Sequence, residues 1–536
     1  MKFKNSKNHY LITLLLSIKI LLSVRLALGK VEVKNRPHIV FVLADDLGYN
    51  DVGYHRGSDI KTPCIDKLAT TGTRLKNYYV QPICTPSRTQ LMSGRYQIHT
   101  GMQHSIISPS KPYGLPLDNI LLPEQLKSCG YKTHMIGKWH LGFYRNKYLP
   151  WKRGFDSFFG ILTGGATYYS HVKKDRAFEG FAMYDSRFGP IMDYFGMYST
   201  DIYSDKASNI ITRHNKSKPL FLYLAHQAPH SPLENPPGSS NQYGHISNKK
   251  RRIYARMVSY MDKSICTLER NLKKASLWDN TIFIFSTDNG GTPLFGGNNW
   301  PLRGMKNTLW EGGIKAVGFV NGGHIKKLKP VVNRLFHISD WMPTLLDASK
   351  CPLLRNTPPL DGINQWNLLS QKGIPKRREI LHNIDPLTKE PVEADRNTIL
   401  NGFDVRIKAG IRHGTWKLIT GNPGIGDWIP PPEYDLKAIP SSTRGLVQLY
   451  NIRKDPSEKK NLASRHPGIV TWLLKRLAQY NSTSVPVVFP DSSTLSNPKF
   501  HCGFWAPWMG KKIKFPKKVC SISKIKWQQV AKFSRL

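Results

Sequence analysis

Short apolar runs that stop abruptly at charged or amide side chains set the architecture of this chain. His38-Ile39-Val40-Phe41-Val42-Leu43-Ala44 ends at Asp45-Asp46, and Thr281-Ile282-Phe283-Ile284-Phe285-Ser286-Thr287 ends at Asp288-Asn289-Gly290-Gly291. An unbroken apolar run, as opposed to an alternating one, predicts a strand covered on both faces, in a sheet flanked by helices. Two further predicted strands finish in basic groups: Lys132–Ile136 leads into Gly137-Lys138-Trp139-His140, and Pro219–Ala225 leads into His226-Gln227-Ala228-Pro229-His230. After Pro375 the pattern changes to brief stretches separated by turn residues, among them Ile380–Asn383, Ala409–Arg412, Trp416–Ile419 and Val447–Asn451. That spacing predicts an antiparallel sheet, and the helical periodicity of Ile469–Tyr480 predicts a helix packed on it. The expected organisation is a large α/β domain over residues 33–375, a smaller α+β subdomain over 376–509 that frames the substrate, and a basic tail over 510–536.

With 536 residues, 40% of them hydrophobic and 21% charged, the chain has the makeup of a globular protein with a large core, which excludes a disordered chain. Residues 1–29 depart from that average: Lys2, Lys4 and Lys7 precede the apolar run Leu11–Leu28, which Lys19 and Arg25 interrupt. The segment reads as a secretory signal peptide, with a signal anchor as the alternative. No later segment is apolar for long enough to span a bilayer, so the expected destination is the lysosome or the extracellular space. The seven cysteines, Cys64, Cys84, Cys129, Cys266, Cys351, Cys502 and Cys520, leave at least one without an intramolecular partner. The sequons Asn215-Lys216-Ser217 and Asn481-Ser482-Thr483 fit the same compartment. A formal net charge of +42 implies attraction to polyanions. No nucleic-acid-binding motif stands out, and the leader points to sulfated glycans or anionic membrane surfaces instead. The tail beyond Met509 carries Lys511, Lys512, Lys514, Lys517, Lys518, Lys524, Lys526, Lys532 and Arg535 without an acid. It either retains the protein on such polyanions or is simply a solvated tail.

Candidate chemistry gathers where strands end. Ligands of open α/β sheets collect at the carboxyl ends of strands, so Asp45-Asp46 and Asp288-Asn289 together could build one oxygen-rich site for calcium or magnesium. The plain alternative is that both pairs are turn residues capping the next helix. Cys84-Thr85-Pro86-Ser87-Arg88 reads as a bend opening a helix, with Pro86 in the first turn and Ser87 placed to cap orphan amides. Cys84 would then sit at the positive end of a helix dipole, with Arg88 one turn on, in a place suited to an anion. Lys138 offers donors to a sulfate, while His140 and His230 can move protons near neutral pH. Gly296-Gly297-Asn298-Asn299-Trp300-Pro301-Leu302-Arg303-Gly304-Met305-Lys306 is a glycine-rich loop able to bring backbone and Lys306 close to a ligand.

The run from Cys84 to Arg95 resembles the signature of the type I sulfatases, C-x-P-S-R followed by a helix ending in G-R. Gly130–His140 resembles the second signature of that family, with one residue between Lys138 and His140 where two were expected. From about Arg36 to Met509 the chain is similar to the branch of arylsulfatase B, the N-acetylgalactosamine-4-sulfatase, with arylsulfatases I and J. Runs such as R-P-H-I-V-F-V-L-A-D-D-L-G-Y-N-D-V-G, L-H-N-I-D-P and W-A-P-W-M carry that likeness. The resemblance implies an alkaline-phosphatase-like large domain, a mixed sheet flanked by helices, and the smaller C-terminal domain. It implies one calcium ion held by Asp45, Asp46, the modified Cys84, Asp288 and Asn289, with Cys84 converted to formylglycine (3-oxoalanine) by the formylglycine-generating enzyme. Arg88 would steady the aldehyde hydrate, His140 would accept its proton, and Lys138, His230 and Lys306 would hold sulfate and assist the leaving oxygen. The implied substrates are aryl sulfates or sulfated sugars of glycosaminoglycans, of N-acetylgalactosamine-4-sulfate type.

The chain departs from that branch in lacking the cysteines expected near Ser108–Gly114, Tyr148 and Ile425, and in a short stretch between Thr163 and Tyr198. Converting Cys84 would leave six cysteines able to pair. Two competing functions remain open at this stage. One is a phosphatase or phosphodiesterase of the same superfold, which would use Ser or Thr as nucleophile. The other is a catalytically silent secreted protein that binds sulfated glycans.

Overall fold

The computed structural model describes Lys19 and residues 36–533, except 56–57, 326–328, 371–372, 375, 393–396, 433–436, 442–444, 511–514 and 516. The leader, Lys19 aside, thus lies outside the described residues, as do Lys511, Lys512, Lys514 and Arg535 of the tail. Strands follow in the order β1 (His38–Ala44), β2 (Thr73–Tyr79), β3 (Lys132–Lys138), β4 (Ser157–Ile161), β5 (Val172–Asp175) and β6 (Phe178–Phe181). Next come β7 (Met183–Asp185), β8 (Gly189–Pro190), β9 (Leu220–Ala225), β10 (Thr281–Thr287), β11 (Gly318–Asn321) and β12 (Val331–His337). All but β5 and β6, which pair as a separate hairpin, form one ten-stranded sheet in the order β12-β2-β11-β10-β1-β9-β3-β4-β7-β8. The central strands β10, β1, β9, β3 and β4 are parallel, and β11 runs antiparallel between β10 and β2, so the sheet is mixed.

The unbroken apolar pattern of β1 is explained by helices on both sides. Ile39, Phe41 and Leu43 enter one core with Leu91 of α2 (Cys84–Ser93), Leu122 of α3 (Leu122–Ser128) and Trp341 of α7 (Trp341–Ala348). Val40, Val42 and Ala44 enter the other with Ile65 of α1 (Pro63–Thr71), Ile202 of α4 (Ser199–Thr212) and Val258 of α5 (Lys249–Lys274). Each large apolar side chain so buried contributes about 1.5–3 kcal/mol. The end of β1 is held rigid as a result. Disulfides Cys64–Cys266 and Cys129–Cys351 tie helices and loops across this body, and Cys502–Cys520 ties the tail. Cys84 is the free, buried seventh cysteine.

The smaller sheet runs β13 (Glu379–Lys389), β16 (Ile407–His413), β17 (Trp416–Thr420) and β18 (Val447–Asn451), antiparallel throughout; β14 (Ile399–Leu400) and β15 (Phe403–Asp404) form a hairpin beside it. Two short helices, α6 (Glu311–Ile314) and α8 (Trp366–Leu369), belong to the connections before it. Leu473, Leu474 and Leu477 of α9 (Pro467–Ser482) cover this sheet, together with Tyr96 and Ile98 from the large body. The chain then returns to the large body, where Trp505 and Trp508 join the first core. The tail is more structured than its composition suggests. Lys517–Phe533 forms helix α10, and its Trp527 packs against Phe181 with ring centroids 4.6 Å apart.

A buried ion triad joins the two sheets. Lys417 Nζ lies 3.0 Å from Glu311 Oε1 and 2.7 Å from Glu458 Oε1, with Lys417 and Glu311 fully buried. Glu311 also accepts the Tyr79 hydroxyl at 2.7 Å, and its own N–H donates to Glu458. Burial is the largest influence on Glu311 and raises it, but Lys417, Lys315 and Arg412 with the Tyr79 hydrogen bond together hold that carboxyl below its ordinary range, whereas burial pushes Glu458 up to about 7. Removing Lys417 strands this pair, so Lys417→Ala is expected to cost about 3–5 kcal/mol in a chemical denaturation series. Because the folded state favours the protonated Glu458, its stabilisation is complete below the ordinary carboxylate pKa and fades as pH rises through about 7. Melting temperature should therefore fall between about pH 5 and pH 8, and Glu458→Gln should flatten that part of the profile.

Candidate active site

Register makes the site. β1 and β10 are parallel neighbours with Ala44 level with Thr287, so Asp45-Asp46 and Asp288-Asn289 leave the sheet side by side. Asp46 turns back with φ 63°, and its N–H donates to Asp288 Oδ1 at 3.3 Å. Asn289 Nδ2 donates to Asp46 Oδ1 at 2.7 Å, which leaves Asn289 Oδ1 buried without a partner. β9 and β3 lie on the other side of β1, and Gly137 is level with Ala225, so Lys138 and the His226–His230 loop end at the same edge. Gly137 is required there: at φ 99° a Cβ would sit 1.8 Å from the Ala225 carbonyl oxygen.

Cys84 is the first residue of α2, as the motif predicts, and Arg88 follows one turn on. All ten residues of this helix are buried, so its polar side chains must be satisfied internally. Ser87 lies inside the helix and does not cap it. Its hydroxyl instead accepts the Gln81 N–H at 2.8 Å and donates to the Asp288 carbonyl, because the loop before the helix folds back over it. Arg88 Nε and Nη2 donate to Asp288 Oδ2 at 3.1 and 2.8 Å, and Nη1 donates to the Lys138 carbonyl at 2.9 Å. Cys84 Sγ lies 3.6 Å from Asp45 Oδ1, and Lys138 Nζ lies 2.6 Å from Asp45 Oδ2. Lys306 Nζ reaches Asp46 Oδ1 at 2.7 Å, and His230 Nε2 is 3.6 Å from Asp46 Oδ2. One ligand atom each from Asp45, Asp46, Cys84 and His230 falls within a 4.8 Å cluster. Among the residues of this cluster His230 and Lys306, with side chains 18% and 16% exposed, reach furthest toward solvent, so access is from their side.

Electrostatics mark the cluster as unbalanced. Burial, then the neighbouring Asp45, pushes Asp288 up to about 6. Burial also opposes ionisation of Asp46, but Lys306 and His230 prevail and hold it well below the carboxylate range. Burial pushes the Cys84 thiol up to about 12, which makes it a poor nucleophile as a thiol. Burial, with Lys138, Arg88 and Lys173 nearby, keeps His140 neutral, far below the usual histidine range. His140 Nε2 is 3.2 Å from the Ile107 carbonyl, which can only accept, so Nε2 carries the proton and the buried Nδ1 keeps a free lone pair. The three carboxylates and the unpartnered amide oxygen fit a hard, oxygen-seeking divalent cation, and among the described residues this cluster brings one His and one Cys, not a zinc-type quartet.

The whole stretch 37–350 matches the sulfatase family model. The chain belongs to the sulfatase family. It is 48% identical to arylsulfatase J of Mus musculus over 88% of this chain and 80% of that protein, and 30% identical to N-acetylgalactosamine-6-sulfatase of Homo sapiens over 66% and 69%. Among solved structures, Ps i-CgsB is 28% identical with a TM-score of 0.70, covering 87% of this chain and 97% of that one. This sulfatase is accordingly a sulfuric ester hydrolase with the alkaline-phosphatase-like fold.

The sulfatase carries one cation at its centre that sequence reading missed. On the β5–β6 hairpin Val172 packs with Phe181 and Phe504, while Lys173 and Asp175 share the opposite face. Asp175 accepts Ser110 N and Oγ at 3.1 and 2.7 Å, and the loop bearing Ser110 also supplies the Ile107 carbonyl to His140. Lys173 therefore faces the centre, and its ammonium has no ion pair or hydrogen bond among the described residues. Burial and Lys138 lower its pKa. Nothing in the local sequence separates it from Lys174; only the hairpin register does. Gly164 is the other silent contributor, since a Cβ there would lie 2.5 Å from His140 Cε1 and Nε2. Gly164→Ala should displace that ring and lower kcat by about 100-fold while changing melting temperature little, as steady-state kinetics beside thermal denaturation would show.

Proposed function

We propose that this sulfatase hydrolyses sulfate monoesters on sulfated sugars, of N-acetylgalactosamine-4-sulfate type, by means of a formylglycine made from Cys84 and one calcium ion. The observation that carries this reading is the convergence of Cys84 with Asp45, Asp46, Asp288 and three cationic side chains at one sheet edge. Asp45, Asp46, Asp288, the free Asn289 Oδ1 and residue 84 would hold the calcium. When bound, that ion supplies positive charge beside the ester oxygens, and the hydrated aldehyde at position 84 supplies the nucleophilic oxygen that the high-pKa thiol cannot.

The remaining work belongs to side chains already in place. Arg88, Lys138 and Lys306 balance the three carboxylates as the site stands, so a divalent ion leaves the pocket net positive and suited to an anionic ester. Lys138, His230 and Lys306 hold the sulfate and assist the leaving oxygen; Arg88 orients the group at position 84. His140, neutral and fixed in one tautomer by Ile107, takes a proton at Nδ1. Lys173 adds a further positive charge facing the centre. The named relative N-acetylgalactosamine-6-sulfatase, and the structure of Ps i-CgsB in complex with k-i-k-neocarrahexaose, support a sulfated sugar as substrate.

Three disulfides and exposed asparagines in both sequons support maturation in the secretory pathway, where the formylglycine-generating enzyme acts, and a lysosomal or extracellular destination. Among the described residues no helix is long and apolar enough to cross a membrane. The exposed Lys517 and Lys524 of α10 would add attraction to polyanions.

Cys84→Ser tests the reading. A serine lacks the second oxygen through which the hydrate releases sulfate, so the variant should complete at most one turnover on an aryl sulfate and on N-acetylgalactosamine-4-sulfate. Wild-type protein should turn over repeatedly, and its peptide containing residue 84 should be lighter by the thiol-to-aldehyde change in mass spectrometry. Sustained turnover by the serine variant would contradict the mechanism; an inert wild type with an intact thiol would favour the silent glycan-binding protein.

A further inference from the structure

A second basic site lies away from the catalytic centre. The edge of the large sheet, at Lys76 of β2 and Val331–Leu335 of β12, faces the β16–β17 turn and Arg453 beyond β18 across a cleft of about 970 Å³. No aspartate or glutamate is among the described residues that line it, and none of the catalytic candidates is there. Of its lysines and arginines, Arg377 is paired with Asp340, and among the described residues Arg412 bonds to the Tyr79 hydroxyl and the Gly414 carbonyl. Lys76, Lys315, Lys329, Arg334, Arg378 and Arg453 have no ion pair or side-chain hydrogen bond among the described residues.

Lys315 sharpens the point, because it is only 7% exposed. Keeping an ammonium this far from water without a contacting anion is costly, and the fully buried Lys138 and Lys417 are each paired, with Asp45 and Glu311. Burial and the neighbouring Arg412 and Lys76 push the Lys315 pKa down despite Glu311. Apart from Arg377, paired with Asp340, and Lys315, which Glu311 partly offsets, the cleft thus concentrates like charge with no ion-pair partner among the described residues.

We propose that this cleft is an exosite for a segment of sulfated polysaccharide chain. Planar guanidinium forks match sulfate and carboxylate oxygens, and the exposed Val331 and Pro456 offer apolar surface to sugar rings between those groups. The volume is at the upper end of the ~300–1,000 Å³ of small-ligand sites, which suits an oligosaccharide better than a single inorganic ion. A polymeric substrate held here would keep further sulfates close to the centre after each release. This inference uses the cleft and the family, not the assigned catalytic roles.

The test compares two triple variants of the full-length protein by calorimetry with a heparin octasaccharide. One is Lys76→Ser/Arg334→Ser/Arg453→Ser, all exposed and none catalytic; the other removes the same charge from α5, Lys249→Ser/Lys263→Ser/Lys274→Ser. The cleft variant should bind about tenfold more weakly and the α5 variant within about twofold of wild type, with aryl sulfate turnover unchanged in both. Equal weakening in both, or none in the cleft variant, overturns the proposal. So does tighter binding of wild type to duplex DNA or to anionic phospholipid vesicles than to the octasaccharide at the same salt. Loss of turnover in wild type would sink the catalytic reading and leave this binding result to stand alone.

Discussion

Three carboxylates buried at the ends of two adjacent strands are the constraint on which this structure turns. An unpaired buried carboxylate costs several kcal/mol, so Asp45, Asp46 and Asp288 can sit together only with charge brought to them. Arg88, Lys138 and Lys306 bring it from a helix, a strand end and a loop that are far apart in sequence. The rest follows from holding those three in place. Helix α2 is buried on every side although six of its ten residues are polar, and the core on both faces of β1 fixes the edge from which the acids project.

The smaller sheet takes part in the same task. Arg303, fully buried in the glycine-rich loop, lies 3.5 Å over the Trp310 ring and donates to the Tyr450 hydroxyl and the Glu458 carbonyl at 3.1 Å each. Lys306 is three residues further on. The Lys417–Glu311–Glu458 triad clamps the chain on the other side of that loop. A structural role for the C-terminal sheet thus becomes a specific one: it positions the loop whose lysine neutralises Asp46.

Much of this was legible because it is local. The apolar runs ending in Asp45-Asp46 and Asp288-Asn289 announced both strands and both acid pairs, and the Cys84 motif announced the helix start. Cysteine parity foretold at least one unpaired cysteine, and the structure makes it Cys84. What stayed hidden depends on pairing between distant segments. The register of β1 against β10, the hairpin face that turns Lys173 inward, the partners of six cysteines and the ordering of α10 by Cys502–Cys520 have no local signature. The position of Ser87 was misjudged for the same reason, since a loop that folds back over the helix is invisible in a pentapeptide. The basic cleft is the extreme case: its lysines and arginines are scattered through the chain, and only the meeting of two sheets collects them.

If the acid cluster is a cation site, the protein as purified should contain that cation. Elemental analysis of the active protein after exhaustive dialysis against metal-free buffer is the most direct measurement. One calcium per chain is the predicted result, whereas a fully active protein that carries no divalent ion, or carries zinc in its place, would contradict the account.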